Sequence, residues 1–194
     1  MPAQPTAAGK SSFDLIDVNA FLDTLGLRRD IVFLDVACGV GNYAIEIARQ
    51  MQGTGSVHAL DLWEEGIATL RSRADDLNLK NIEATVCDVS KQIPLEEQNV
   101  DICLMATVLH DLIEDGIHEG ALREIVRVLK PSGRLAVIEF KKMPGPPGPP
   151  EAIRLSPQAL DQVLEPLGFR CRQSIELGAV TYLSLFQLDM DAIQ

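Results

Sequence analysis

Apolar residues along this chain keep two spacings, and the two alternate. Ile31-Val32-Phe33-Leu34 is a continuous apolar run, the pattern of a strand buried on both faces. After a small, Gly-containing turn, Ala44, Ile47, Ala48 and Met51 recur at helical spacing. Gly53-Thr54-Gly55 then turns the chain into a strand, Ser56–Leu60, that stops at Asp61. The stripe Trp63, Ile67, Leu70, Ala74, Leu77 predicts the next helix. Strands are predicted over Ile82–Cys87, ending at Asp88, and over Val100–Ala106. A helix at about Glu119–Leu129 stops at the turn Lys130-Pro131-Ser132-Gly133, and Arg134–Phe140 is the fifth strand.

The ends of the chain follow a different rule. Residues 1–12 are small, polar and Pro-containing, and are expected to be a disordered lead-in to one domain over 13–194. A short helix follows from about Asp17 to Leu25, with Gly26 as its C-cap. Met143–Pro150 (MPGPPGPP) cannot be helix or central strand and reads as an extended, semi-rigid connection, an active-site rim or a ligand for a proline-binding module. Ser156 and Pro157 signal the start of another helix, with Leu160, Val163, Leu164 and Leu167 apolar. Phe169–Leu177 and Val180–Leu188, joined through Gly178-Ala179, form a closing hairpin. Five alternating strand–helix units imply parallel strands with right-handed crossovers and helices on both faces. The expected class is therefore α/β: a Rossmann-like, mostly parallel, seven-stranded sheet with an antiparallel last strand.

Composition changes this picture only by exclusion. A 194-residue chain with 46% apolar and 23% charged residues is ordinary for one globular domain. Its net charge of −11 argues against nucleic acid or an anionic membrane as the main partner. No apolar run approaches the roughly 18 residues of a membrane span, and the N-terminus has no signal-peptide core, so a cytoplasmic protein is expected. Four scattered cysteines without a CxxC suggest neither a metal site nor a disulfide framework.

The chemistry concentrates where strands end. Asp35, Asp61 and Asp88 close the first three strands, one strand–helix–strand period apart, and in open parallel sheets ligands bind at such carboxyl ends. Asp61 and Asp88 can equally cap the turns that follow them. Gly39-x-Gly41-x-x-Ala44 satisfies a dinucleotide fingerprint, with Asp61 at the distance of a ribose-binding acid. Asp35, two residues before the turn, tilts the choice toward a cationic ligand.

Asp35-Val36-Ala37-Cys38-Gly39-Val40-Gly41 resembles the first motif of class I S-adenosylmethionine (SAM)-dependent methyltransferases, D-x-G-x-G-x-G, and the D-V-A-C-G variant looks like the ubiquinone/menaquinone C-methyltransferase group. Ala37 stands where the first Gly of that motif usually sits. The resemblance runs from about Leu25 to Leu188, and in that fold the last strand inserts antiparallel beside the fifth and sixth. It implies SAM as cofactor and S-adenosylhomocysteine as product. By resemblance Asp61 takes the ribose hydroxyls, Asp88 and the Val89 backbone meet the adenine edge, Asp35 lies near the methionine end, and Gly39 and Gly41 let the cofactor approach the backbone. Leu62 and Trp63 can pack on the adenine, although Trp63 also opens a core stripe. Thr107 resembles the position lining the methionine moiety, and Tyr43 either reaches the cofactor or covers the sheet edge.

Methyl transfer needs alignment, exclusion of water and, for acidic nucleophiles, a base. His110 and Asp111 after the fourth strand and Glu139 at the end of the fifth are the candidates, with capping or packing as the alternative for His110. His58 reads as structural, and His118 as exposed in a loop or at a helix start. The substrate is a small molecule of unspecified kind, and a second copy of the chain is a possible contributor to the pocket. Two rivals share the opening motif: a nicotinamide oxidoreductase, whose Tyr-x-x-x-Lys dyad neither Tyr43 nor Tyr182 can supply, and a non-catalytic SAM-binding protein.

Overall fold

A computed structural model describes residues 9–189. In chain order the helices are α1 (Val18–Leu25), α2 (Asn42–Gln50), α3 (Glu64–Asp76), α4 (Leu109–Glu114), α5 (His118–Val128) and α6 (Pro157–Leu164). The strands are β1 (Val32–Val36), β2 (Ser56–Asp61), β3 (Ile82–Val86), β4 (Val100–Ala106), β5 (Leu129–Phe140), β6 (Phe169–Glu176) and β7 (Thr181–Leu188). They form one seven-stranded sheet in the order β3-β2-β1-β4-β5-β7-β6. β1 to β5 run parallel, and β7 lies antiparallel between β5 and β6. The expected α/β class, the parallel sheet and the inserted last strand are all present.

Alternation along the strands divides the core in two. Leu34, Val36, Leu60, Cys103, Met105, Leu135 and Val137 pack under α4, α5 and α6. Phe33, Val57, Ala59, Ile102, Leu104, Ala136 and Ile138 pack under α1, α2 and α3. Successive side chains point to opposite faces, so Asp35 and Asp61 continue the rows of Phe33 and Val57–Ala59 toward α2. Glu139 continues the row of Leu135 and Val137, toward α4. The sheet thereby sends its acids to two different sides of one edge.

Caps set the helix boundaries as the residue types predict. Asp17 accepts the Ala20 N–H (3.0 Å) to start α1, Gly26 closes it in the left-handed region, and Ser156 accepts the Ala159 N–H (3.2 Å) ahead of Pro157.

Three expectations need correction. Lys130–Gly133 is not a turn between helix and strand: Leu129 already pairs with Val100, and the four residues form an irregularity inside β5 before Arg134 meets Ile102. The segment after β4 carries a helix, α4, which the apolar residues Leu109, Leu112 and Ile113 signal too briefly to stand out. Finally, the lead-in does not reach residue 12, because Ser12 is buried and hydrogen-bonded; residues 1–8 lie outside the described part of the chain.

No helix among the described residues is long and apolar enough to cross a membrane. No group of three or more His, Cys, Asp or Glu among them is placed to hold a metal ion.

Candidate active site

At the carboxyl end of β1 the chain turns through Ala37, Cys38, Gly39 and Val40 into α2. Ala37, Gly39 and Gly41 all have positive φ (58°, 56° and 77°). For Ala37 that conformation costs about 1–2 kcal/mol, which Gly would not incur. A Cβ on Gly41 would lie 2.2 Å from Leu70, so bulk is forbidden there by packing of α3 on the turn. A Cβ on Gly39 would meet nothing within 4 Å. Gly39 therefore faces open space, where its backbone is approachable.

Asp61, at the end of β2, braces this turn from below. Its Oδ2 accepts the Gly39 N–H and its Oδ1 the Trp63 N–H, both at 2.7 Å. The second bond is the capping role that the sequence allowed, and it leaves each oxygen with lone-pair capacity for a further donor. Asp35 is different. It is 1% exposed, and its Oδ2 has no hydrogen-bond partner among the described residues. Burial, with the charge of Asp61 nearby, pushes its pKa up to about 8, against a smaller opposing pull from the Ala44 N–H. A cation beside this oxygen would favour its ionised form.

Asp88 lies two residues past the end of β3. Its Oδ1 accepts from the Ser90 N–H (3.1 Å) and hydroxyl (2.6 Å), and its Oδ2 pairs with Lys91 (2.8 Å). Hydrogen bonds from Lys91 and Ser90 hold its pKa below the usual carboxylate value. The acidic rim is thus staggered: Asp35 sits inside its strand, Asp61 at the end, Asp88 beyond it. Val89 is buried in the core, Leu62 is 49% exposed and Trp63 is half-buried before α3.

Tyr43 and Thr107 meet through a residue that sequence reasoning missed. The Ser12 hydroxyl bonds the Tyr43 hydroxyl (2.9 Å) and accepts from Thr107 Oγ1 (3.1 Å). Tyr43 is 5% exposed and edge-on to Phe13 and Phe21, so it covers the sheet edge. Thr107 holds φ 54°, a strained conformation for a β-branched residue, fixed by its N–H to Ile138 O (2.7 Å). A lone Ser in a small polar stretch carries no signal that would have singled it out.

On the other side of β4 the three catalytic candidates come together. His110, in the first turn of α4, donates from Nδ1 to Glu139 Oε2 (2.7 Å), and its backbone N–H reaches Glu139 Oε1 (3.2 Å). Nε2 faces Asp111 Oδ1 at 3.5 Å. Glu139 is completely buried, His110 is 3% exposed and Asp111 is half-buried. Burial of the imidazole favours its neutral form, but the hydrogen bond and charge of Glu139, together with Asp111, outweigh it; Arg154 pulls weakly the other way. The net is a pKa above the ordinary histidine value. The two remaining histidines behave differently: His58 pairs with Glu83 (3.4 Å), and His118, expected to be exposed, is half-buried at the start of α5 with Nδ1 unpartnered among the described residues.

Residues 27–167 match the family model described as a methyltransferase domain. The chain belongs to the class I SAM-dependent methyltransferase family. Among curated relatives it is 31% identical over 122 residues to the ubiquinone/menaquinone biosynthesis C-methyltransferase UbiE of Azotobacter vinelandii, covering 62% of this chain and 47% of that one. It is 33% identical to the Pseudomonas putida UbiE over 122 residues, covering 62% of this chain and 46% of that one. The chain thus spans about half the length of these relatives. A SAM-dependent methyltransferase from Aquifex aeolicus superposes with a TM-score of 0.84 at 29% identity, over 96% of this chain and 99% of that one. The [4+2]-cyclase SpnF shares the fold alone, with a TM-score of 0.74 at 17% identity, over 88% of this chain and 80% of that one.

SAM is the cofactor of this family, and the methyltransferase has groups that fit it. The unpartnered oxygen of Asp35 suits a cation, Asp61 retains acceptor capacity, and Gly39 leaves its backbone open. Nothing observed favours a nicotinamide enzyme or a non-catalytic binder.

Proposed function

We propose that this methyltransferase transfers the methyl group of SAM to a small acceptor whose reacting carbon or heteroatom must lose a proton, and that the Glu139–His110–Asp111 row takes that proton. The observation that carries this reading is a buried histidine held by a buried glutamate at one end and facing a half-exposed aspartate at the other. The C-methylation named for the UbiE relatives is a reaction of that kind.

The bound cofactor supplies an electrophilic methyl on a good leaving group. Asp61 receives the ribose hydroxyls on the oxygens that also brace Gly39 and Trp63. Asp35 offsets the positive charge of the methionine end, and Ala37, Gly39 and Gly41 keep side chains out of the way. Asp88 and the Val89 backbone frame the adenine edge, beside Leu62 and Trp63. Tyr43 and Thr107, joined through Ser12, flank the methionine end. Glu139 fixes the His110 ring and stabilises its protonated form, and Asp111 marks the open end of the row through which the acceptor's proton arrives. Such assistance contributes about 10²–10⁴-fold to rate. We further infer a cytoplasmic enzyme, acting alone or as a homodimer, with no nucleic-acid partner.

The test is methyl transfer from radiolabelled SAM to a panel of phenols, quinols and carbon acids, with His110→Asn, Asp111→Asn and Glu139→Gln. Turnover should fall by about 10²-fold or more in His110→Asn while SAM affinity is retained. Undiminished turnover in all three variants would remove the row from the mechanism.

A further inference from the structure

The proline-rich segment is not an extended connection. Its backbone curls around a single side chain, Arg154, which is 2% exposed although the segment itself is largely exposed. Arg154 donates from Nε to Pro149 O (2.9 Å), from Nη1 to Lys141 O (3.1 Å), and from Nη2 to Gly145 O (2.5 Å) and Pro147 O (3.0 Å). The chemistry is complementary. A stretch with Pro at 144, 146, 147, 149 and 150 has carbonyls but few N–H groups, whereas a guanidinium offers five N–H donors and accepts nothing. No carboxylate pairs with Arg154 among the described residues, so the carbonyl dipoles and an aromatic face stabilise its charge.

That aromatic face is Phe140, the last residue of β5. The guanidinium carbon lies 5.6 Å from its ring centroid, and the His110 ring stands edge-on to the same ring at 6.4 Å. Gly148, at φ 97°, lies so close that a Cβ there would be 2.7 Å from the Phe140 ring. Phe140 therefore meets the loop, the guanidinium and the His110 ring.

We propose that Arg154 is a positioning residue for the His110–Glu139 pair: it folds residues 143–150 into a fixed wall and, through Phe140, sets the surroundings of the imidazole. The inference rests on reading His110 as the proton-accepting group. The groups around that ring are Glu139 from β5, Asp111 from α4, Arg154 from the segment before α6 and, beyond Glu139, Tyr182 on β7, itself influenced by Asp161 on α6. Among the charged groups that act on the ring, Glu139 and Asp111 favour imidazolium and Arg154 opposes them. Its charge acts against protonation of the ring, as the weakest of these influences.

The experiment is an NMR titration of the His110 ring in wild type, Arg154→Lys, Arg154→Gln and Gly148→Ala, with limited proteolysis of each and calorimetric SAM binding as a control. In Arg154→Gln the His110 midpoint should move up and cleavage within 143–150 should quicken, while SAM affinity stays at the wild-type value. Arg154→Lys keeps the charge but lacks the fork; its loop should loosen with a smaller movement of the midpoint. Gly148→Ala displaces the loop from Phe140 with Arg154 intact, and should alter the His110 ring shifts even if Arg154→Gln does not fold. Unchanged His110 shifts and midpoint in every folded variant would overturn the proposal. Failure of the base assignment reads out separately, as full turnover in His110→Asn.

Discussion

The two halves of the sheet edge solve different problems in different materials. Around β1 and β2 the site is made of backbone: a turn with three positive-φ residues, braced by one carboxylate, with open space beside Gly39 and an unpartnered oxygen on Asp35. Around β4 and β5 it is made of side chains: Glu139, His110, Phe140 and Arg154, each buried and each touching the next. The first half leaves backbone and a carboxyl oxygen approachable. The second is a packed chain of polar and aromatic groups.

The comparison can be broken most severely at Glu139. Glu139→Ala leaves the His110 ring and backbone N–H groups buried without an acceptor, so unfolding free energy should fall by about 3 kcal/mol, read from denaturant curves. Asp61→Ala should act on the other half. It removes acceptors for Gly39, Trp63 and the proposed ribose hydroxyls, and SAM affinity should drop about 100-fold by calorimetry while the fold survives. If Asp61→Ala unfolds the chain instead, the brace and the ligand site are not separable.

Proton linkage acts on the halves with the same sign but in different pH windows. Asp35, with a pKa pushed up to about 8, is largely protonated in the free protein at neutral pH. A cation beside it favours ionisation, so SAM affinity should rise by up to about tenfold per pH unit below 8 and level off above, with the slope absent in Asp35→Asn. Because its folded pKa is raised, Asp35 also subtracts stability as pH climbs from the unfolded value of 3.8 toward about 8. His110 has a raised folded pKa as a base. Its contribution to stability is complete below 6.5 and disappears as pH rises through the folded value, and turnover should rise over that same limb. The smallest effect is expected at Leu62: half-exposed already, it should change SAM affinity less than about threefold when replaced by Ala.

The sequence revealed the first half far better than the second, and the reason is physical. Turns that need small residues, and acids at strand ends, are local requirements written in consecutive positions such as Asp35–Gly41. The parallel order and the closing hairpin follow from periodicity in the same way. Arg154, by contrast, is one cation in an unremarkable stretch, and its meaning depends on carbonyls whose direction only the folded loop fixes. Ser12 is legible only once Tyr43 and Thr107 are side by side. The Lys130–Gly133 irregularity looked like a turn because Pro, Ser and Gly suit both.

One consequence of the arginine-centred loop concerns the order in which the site is assembled. The carbonyls held by Arg154 lie 5 to 13 residues away in sequence, whereas Glu139 is 29 residues from His110 and Ser12 is 95 from Thr107. Closing a short loop costs less chain entropy than closing a long one, and local contacts are made earliest. The proline-rich wall can therefore begin to form while the sheet is still gathering its strands, ahead of longer-range ties such as that from Ser12 to Thr107.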